Sequence, residues 1–199
     1  MKKLAIILSL IVLSCNIKPK DEISNNKPNN KYLIENKSVG CFTISNQIDM
    51  SSVYDNYTIQ REVETVSAEG VSEKVVVYYV FENNIKVLIM RPLFDYHNGK
   101  YIEDKIGEIF VLSENYKTKD GLGVNSPITE FIKQYPEYSL WWTYVSNSYV
   151  LESESLGSNI QFLLNSKDCL IKPKTDSDMT FLKFSDFKKD ARIIQIRVL

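Results

Sequence analysis

Residues 74–90 read KVVVYYVFENNIKVLIM. Two runs rich in β-branched and aromatic residues, Lys74 to Phe81 and Ile85 to Met90, flank the polar Glu82-Asn83-Asn84. Such side chains suit a pleated, half-buried surface, and asparagine accepts the backbone of a tight turn, so the stretch predicts a β-hairpin. Arg91-Pro92 follows. Proline has no N–H to give a sheet ladder, so Pro92 is expected to end the second strand. Upstream, Cys41-Phe42-Thr43-Ile44 is a candidate strand and Tyr57 to Val63 alternates with period two. The chain from Tyr32 to about residue 100 therefore reads as a β-meander.

Downstream the pattern changes. Ile106 to Leu112 predicts a strand, and TKDGLGVNSP at 118–127 turns into a helix. Ser126 is expected as its N-cap and Pro127 as its first residue, with Glu130 favourable in the first turn. Ile128, Phe131, Ile132 and Tyr135 fall on one helical face, and Pro136 stops the helix. Strands are expected at 138–145, 148–153, 160–164 and 192–198. With Ser146-Asn147 as a two-residue turn, Trp142 would face Leu151 and Tyr144 would face Tyr149. Trp142 then belongs to the core under the helix, with Tyr144 on the same apolar face. Trp141 is half-exposed beside Glu152.

Thr118, Gly121, Gly123, Ser126 and Tyr135-Pro136 fit a strand, a T-x-x-G-hydrophobic-G-x-x-S turn, a short helix and further strands. Residues 106–199 in this respect resemble a recurrent module of small, uncharacterised bacterial envelope proteins, with Asn125 where that module often has glycine. The resemblance implies a topology and nearly nothing about function. Gly121 and Gly123 are read as serving backbone conformation and close packing. A phosphate cradle is disfavoured, because positions 121–132 contain no Lys or Arg. The expected fold class is α+β, a largely antiparallel β-sheet with one short helix packed on it. Residues 32–199 would form one domain, or a 32–100 meander joined to the 106–199 module.

The amino terminus carries an address. Lys2 and Lys3 precede an apolar stretch from Leu4 to Leu13 that is too short to span a bilayer, which needs roughly 20 residues. Val12-Leu13-Ser14-Cys15 resembles the lipobox of bacterial lipoproteins. The resemblance implies that residues 1–14 are a signal peptide and that Cys15 becomes an acylated amino terminus. Palmitate-like chains contribute ~0.8 kcal/mol per buried methylene. Residues 15–31, with two prolines and many Asn and Lys, read as a flexible tether. The implied location is the cell membrane or outer membrane, with the folded part in the periplasm or on the surface.

Composition narrows the rest. Of 199 residues, 24 are Lys or Arg and 25 Asp or Glu, so no basic footprint points to nucleic acid. His97 is the single imidazole, sits in a polar turn, and has no nucleophile motif beside it, which leaves no catalytic residue to name. Glu152 and Glu154 are read as sharing a strand face and could do acid-base work, although surface acids on strands commonly face water. Asp176-Ser177-Asp178 lacks the other ligands of a calcium loop, so no metal or cofactor is expected. Cys41 and Cys169 allow either a long-range disulfide or two free thiols. The leading functional reading is a non-enzymatic binding module for a protein or glycan, with Trp141 and Glu152 as contact residues. The alternatives are a carbohydrate-active or other hydrolase using carboxylates, and an inhibitor- or immunity-type lipoprotein. Replacing Cys15 with Ser is expected to shift the protein from the membrane to the soluble or unprocessed fraction. A cleaved Cys15→Ser protein that still partitions with membranes would contradict the lipobox reading.

Overall fold

The structure is a computed structural model that describes residues 30–50, 57–68, 71–173 and 177–199. Cys15, most of the 15–31 tether and Asp176 lie outside the described residues. In chain order the strands are β1 (Leu33–Glu35), β2 (Ser38–Val39), β3 (Phe42–Thr43), β4 (Tyr57–Ala68), β5 (Val71–Glu82), β6 (Ile85–Asp95) and β7 (Lys100–Val111). They continue as β8 (Lys117–Thr118), β9 (Ser139–Thr143), β10 (Ser148–Glu152), β11 (Ile160–Leu164), β12 (Met179–Phe181) and β13 (Ile193–Val198). One α-helix, α1 (Ile128–Gln134), occurs among the described residues. The fold is thus mostly antiparallel β-sheet with a small helical part. Nine strands form one sheet in the order β12-β9-β10-β11-β13-β7-β6-β5-β4, every neighbouring pair antiparallel. A small sheet, β3-β2-β1-β8, includes one parallel pair, β1 with β8.

The hairpin expected from residues 74–90 is present, with a tighter turn. Asn83 and Asn84 alone close it, at φ 50° and 64°, the two positive values a type I′ turn requires. Glu82 is the last residue of β5 and is buried, not part of the turn. Its carboxylate accepts from Lys31 at 2.5 Å and from the Tyr32 hydroxyl at 2.7 Å. Burial pushes the Glu82 carboxyl up, but those two donors outweigh it and hold the group below the ordinary range. Asn30 and Lys31, read from sequence as the end of the tether, are therefore part of the fold: a 3-10 turn pinned to β5.

Pro92 does not end β6. The strand runs on to Asp95 along β7, and the β6–β7 ladder changes register on both sides of the proline. Arg91 lies opposite Glu108, Pro92 opposite Ile106 and Leu93 opposite Ile102. β7 thus spends extra residues, while on the other side of β6 the ladder with β5 ends at Met90, so no partner there requires an amide from Pro92. The displaced β7 backbone finds other partners in the segment after β3. Ser45 N–H donates to the Ile106 carbonyl at 2.7 Å, Ile106 N–H to Asn46 at 2.9 Å, and Ile48 N–H to Asp104 at 2.7 Å. Buried backbone polar groups must be paired somewhere, and here an N-terminal segment pairs them.

The turn before the helix closes on itself. Thr118 Oγ accepts from Leu122 N–H at 3.2 Å, and Ser126 Oγ accepts from Gly123 N–H at 3.0 Å. Ser126 therefore caps the turn and not α1, whose N-cap position is Pro127 with no side-chain bond. A Cβ at Gly123 would lie 2.5 Å from the Tyr116 carbonyl oxygen, so glycine is needed for close approach. Asn125 takes φ 68°, a conformation asparagine tolerates better than most residues. Ile128, Phe131 and Tyr135 are buried and Ile132 partly so, as the helical spacing predicts, and Phe131 packs on Phe162 of β11 with ring centroids 4.9 Å apart.

The β9–β10 hairpin has a four-residue loop, Tyr144 to Asn147, not the two-residue turn expected. Thr143 pairs with Ser148, Trp142 with Tyr149, Trp141 with Val150 and Leu140 with Leu151. The pairing differs from expectation by two residues, which preserves the side-chain alternation, so Trp142 is still core and Trp141 still half-buried. Tyr144, expected on the apolar face, lies in the loop and is 49% exposed. Trp142→Ala should cost ~3–5 kcal/mol of stability in denaturant melts and Trp141→Ala clearly less. Equal losses, or a larger one for Trp141, would contradict this register.

Candidate functional site

The register break at Pro92 leaves a groove on the face of the sheet opposite the main core. Its volume is about 520 Å³ and its walls include Glu73, Arg91, Phe94, Tyr96, Tyr101, Gly107 and Glu108. A bulge bends a strand and re-aims its side chains, which opens a concavity in an otherwise continuous surface. Gly107, between the paired Ile106 and Glu108, permits this. A Cβ there would fall 2.6 Å from Leu93 Cα and 2.6 Å from the Pro92 carbonyl oxygen.

One wall is aromatic. Phe94 meets Tyr96 and Tyr101 edge-on, with centroids 5.0 Å away in each case. Tyr96 is 88% exposed, an unusual position for a large ring. The turn is fixed by Asp95, whose carboxylate accepts from the His97 N–H at 2.9 Å and from the Asn98 side chain at 2.6 Å. The Asn98 side chain, followed by the turn amides and Lys100, holds the Asp95 carboxyl below its usual range although desolvation opposes this. Gly99 completes the reversal at φ 62°. His97 itself is exposed at the tip and belongs to no triad-like arrangement: the groove walls contain neither Ser nor Cys.

The other wall is charged. Arg197 of β13 donates to Glu108 Oε1 at 2.5 Å, while the Arg91 guanidinium stands 3.9 Å from Glu108 Oε2 and over the Phe110 ring at 4.9 Å. Glu108 Oε2 is buried yet accepts no hydrogen bond, since the Arg91 separation is an ion pair beyond hydrogen-bond reach. From Glu108 a polar belt crosses the sheet. Arg197 also donates to Gln161 at 3.4 Å, and Gln161 donates to Glu152 at 3.4 Å. Glu152 accepts from the Trp141 indole N–H at 3.1 Å. The sequence-derived contact residues Trp141 and Glu152 are thus brought together, at the far end of a network whose centre is Arg197 and Glu108. Sequence reasoning missed Arg91, Tyr96, Tyr101, Glu108 and Arg197. An isolated glycine and a proline inside strand-like runs were the available signal, since both mark bulges.

Other sequence-derived candidates separate. Glu152 and Glu154 do not share a strand face, because β10 ends at Glu152 and Glu154 begins a 3-10 turn. Both, with Glu137, line a second cavity of about 390 Å³. The Ser153 hydroxyl donates to Glu137 at 2.6 Å and holds that carboxyl below its ordinary value. A general acid needs the opposite shift. Cys41 and Cys169 are free thiols and not a bridge; Cys41 is exposed, and Cys169 Sγ meets the Ile171 carbonyl at 3.2 Å. Among the described residues no group of His, Cys, Asp and Glu is arranged to hold a metal ion.

No family model matches the chain, and no curated protein matches it. Among solved structures it is similar to the crystal structure of the uncharacterized protein yfeY from Escherichia coli, with TM-score 0.54 and 14% identity over 83% of this chain and 97% of that one. The likeness is one of fold. Gly107→Ala should destabilise the protein by ~1–3 kcal/mol, as overpacking against backbone does, and should alter the chemical shifts of Leu93 and Glu108. A neutral Gly107→Ala would show that the strands there are not in close contact.

Proposed function

We propose that the chain is a membrane-anchored envelope lipoprotein, tethered through Cys15, whose folded part is a non-enzymatic binding module that uses the groove at the Pro92 break. Its place would be the cell membrane or outer membrane, with the module in the periplasm or on the cell surface. The observation that carries the binding reading is the pairing, in one concavity, of the Phe94–Tyr96–Tyr101 cluster with the Arg91–Glu108 ion pair. Pockets of roughly 300–1,000 Å³ that combine aromatic walls with a few convergent polar groups are the usual form of ligand sites. The groove walls contain neither Ser nor Cys, and in the second cavity the Ser153 hydroxyl holds Glu137 below its ordinary range, the wrong direction for a general acid at that residue. One observation favours a protein-contacting reading of the inhibitor or immunity type. Phe181 and Met179 of the edge strand β12 and Tyr144 and Val145 of the adjoining loop are exposed apolar residues at one end of the sheet.

Hydrogen exchange on the lipidated protein, with and without solubilised envelope extract from its own cells, separates these readings. Slower exchange over residues 93–107 is the expected result. No change anywhere, or protection confined to the β12 edge, would contradict the groove as the binding site.

A further inference from the structure

Resting on that binding reading, we infer that the groove takes a neutral saccharide. Glu73 and Glu108 contribute two negative charges, and the two arginines that face Glu108, Arg91 and Arg197, contribute two positive ones. Arg197 pairs with Glu108 from outside the groove lining, which leaves Glu73 and Arg91 as opposed charges on the walls, so the pattern favours a ligand with no net charge. What the walls do offer is directional. The guanidinium of Arg91, 42% exposed at its side chain, has N–H groups to donate. The exposed carboxylate of Glu73 on the groove wall has oxygens to accept. A molecule that donates and accepts hydrogen bonds around its edge would satisfy both.

The aromatic wall selects the rest of that molecule. Tyr96 and Tyr101 meet Phe94 edge-on, and Tyr96 is nearly fully exposed. Rings held this way present flat apolar surface to a partner with an apolar face. A pyranose combines the two requirements: an axial C–H face for the ring and equatorial hydroxyls for the carboxylate and guanidinium.

The test uses the lipidated protein in detergent micelles with cellotriose, maltotriose and chitotriose as probes, followed by saturation-transfer NMR and calorimetry. At least one probe should show transfer to its ring C–H protons, and its affinity should fall about tenfold or more in Tyr96→Ala and in Arg91→Ala. Ile85→Ala, at the exposed tip of the β5–β6 hairpin, should bind as the unaltered protein does. Tyr96 buries little surface, so its variant keeps the fold, and a thermal melt checks both variants. No transfer to any probe would overturn the saccharide assignment, as would transfer that survives both substitutions. If envelope extract still protects residues 93–107 from exchange while all three probes fail, the saccharide class is wrong and the binding groove stands. If that protection is also missing, the binding reading falls with it.

Discussion

Pro92 has no amide proton, and it stands in an interior strand of a nine-stranded antiparallel sheet. A continuous ladder there would be short of a donor, and a sheet interior offers no water to replace it. The missing donor faces β5, whose pairing with β6 ends at Met90, and on the β7 side the register changes on both sides of the proline, with surplus residues in β7. The surplus backbone then needs its own partners, and the Ser45–Ile48 segment provides them. Tyr78 adds a hydroxyl bond to the Glu103 carbonyl at 3.0 Å, and Arg61 an ion pair to the Glu103 side chain at 2.7 Å. That surface pair contributes little by itself. The backbone bonds contribute more, because they fix which residues of β7 face β6.

The groove lies at the register break itself. Glycine at 107 lets the strands approach where any Cβ would strike the Pro92–Leu93 backbone. Beyond the break, Phe94, Tyr96 and Tyr101 are carried on the distal part of the hairpin, whose turn is locked by Asp95 and Gly99. Before the break, Arg91 and Glu108 remain in register with each other, and Glu108 is bonded to Arg197 and so to the belt that reaches Trp141. Recognition groups from both sides therefore converge on the site of irregularity. The strands supply rigidity, and the bulge supplies shape.

Much of the architecture was legible from local chemistry. The 74–90 hairpin follows from β-branched runs around two asparagines, and the Phe131 face of the helix follows from spacing alone. The identity of the buried tryptophan survived an error in loop length, because a shift of two residues leaves strand faces unchanged. The misreadings share a cause: a local signal was overruled by a partner distant in sequence. Pro92 was read as a stop because its missing donor was counted, whereas that donor faces β5, and the strand continues along β7. Ser126 was read as a helix cap because its hydroxyl was assigned forward, whereas it accepts from Gly123 behind it. Lys31 was read as tether because nothing near it in sequence announces Glu82, fifty-one residues away. The site was harder still, since Arg91, Glu108 and Arg197 come from three strands and meet only through sheet register.

The dependence of the groove on the register break is best tested by interstrand proton NOEs across β6 and β7 in an isotopically labelled sample. The account predicts contacts between Leu93 and Ile102 and between Arg91 and Glu108, with Ile106 amide and α-proton contacts reaching Asn46. A ladder that continued in the register of Arg91 and Glu108, placing Leu93 opposite Ile106, would contradict it and remove the physical basis for a binding site on this face.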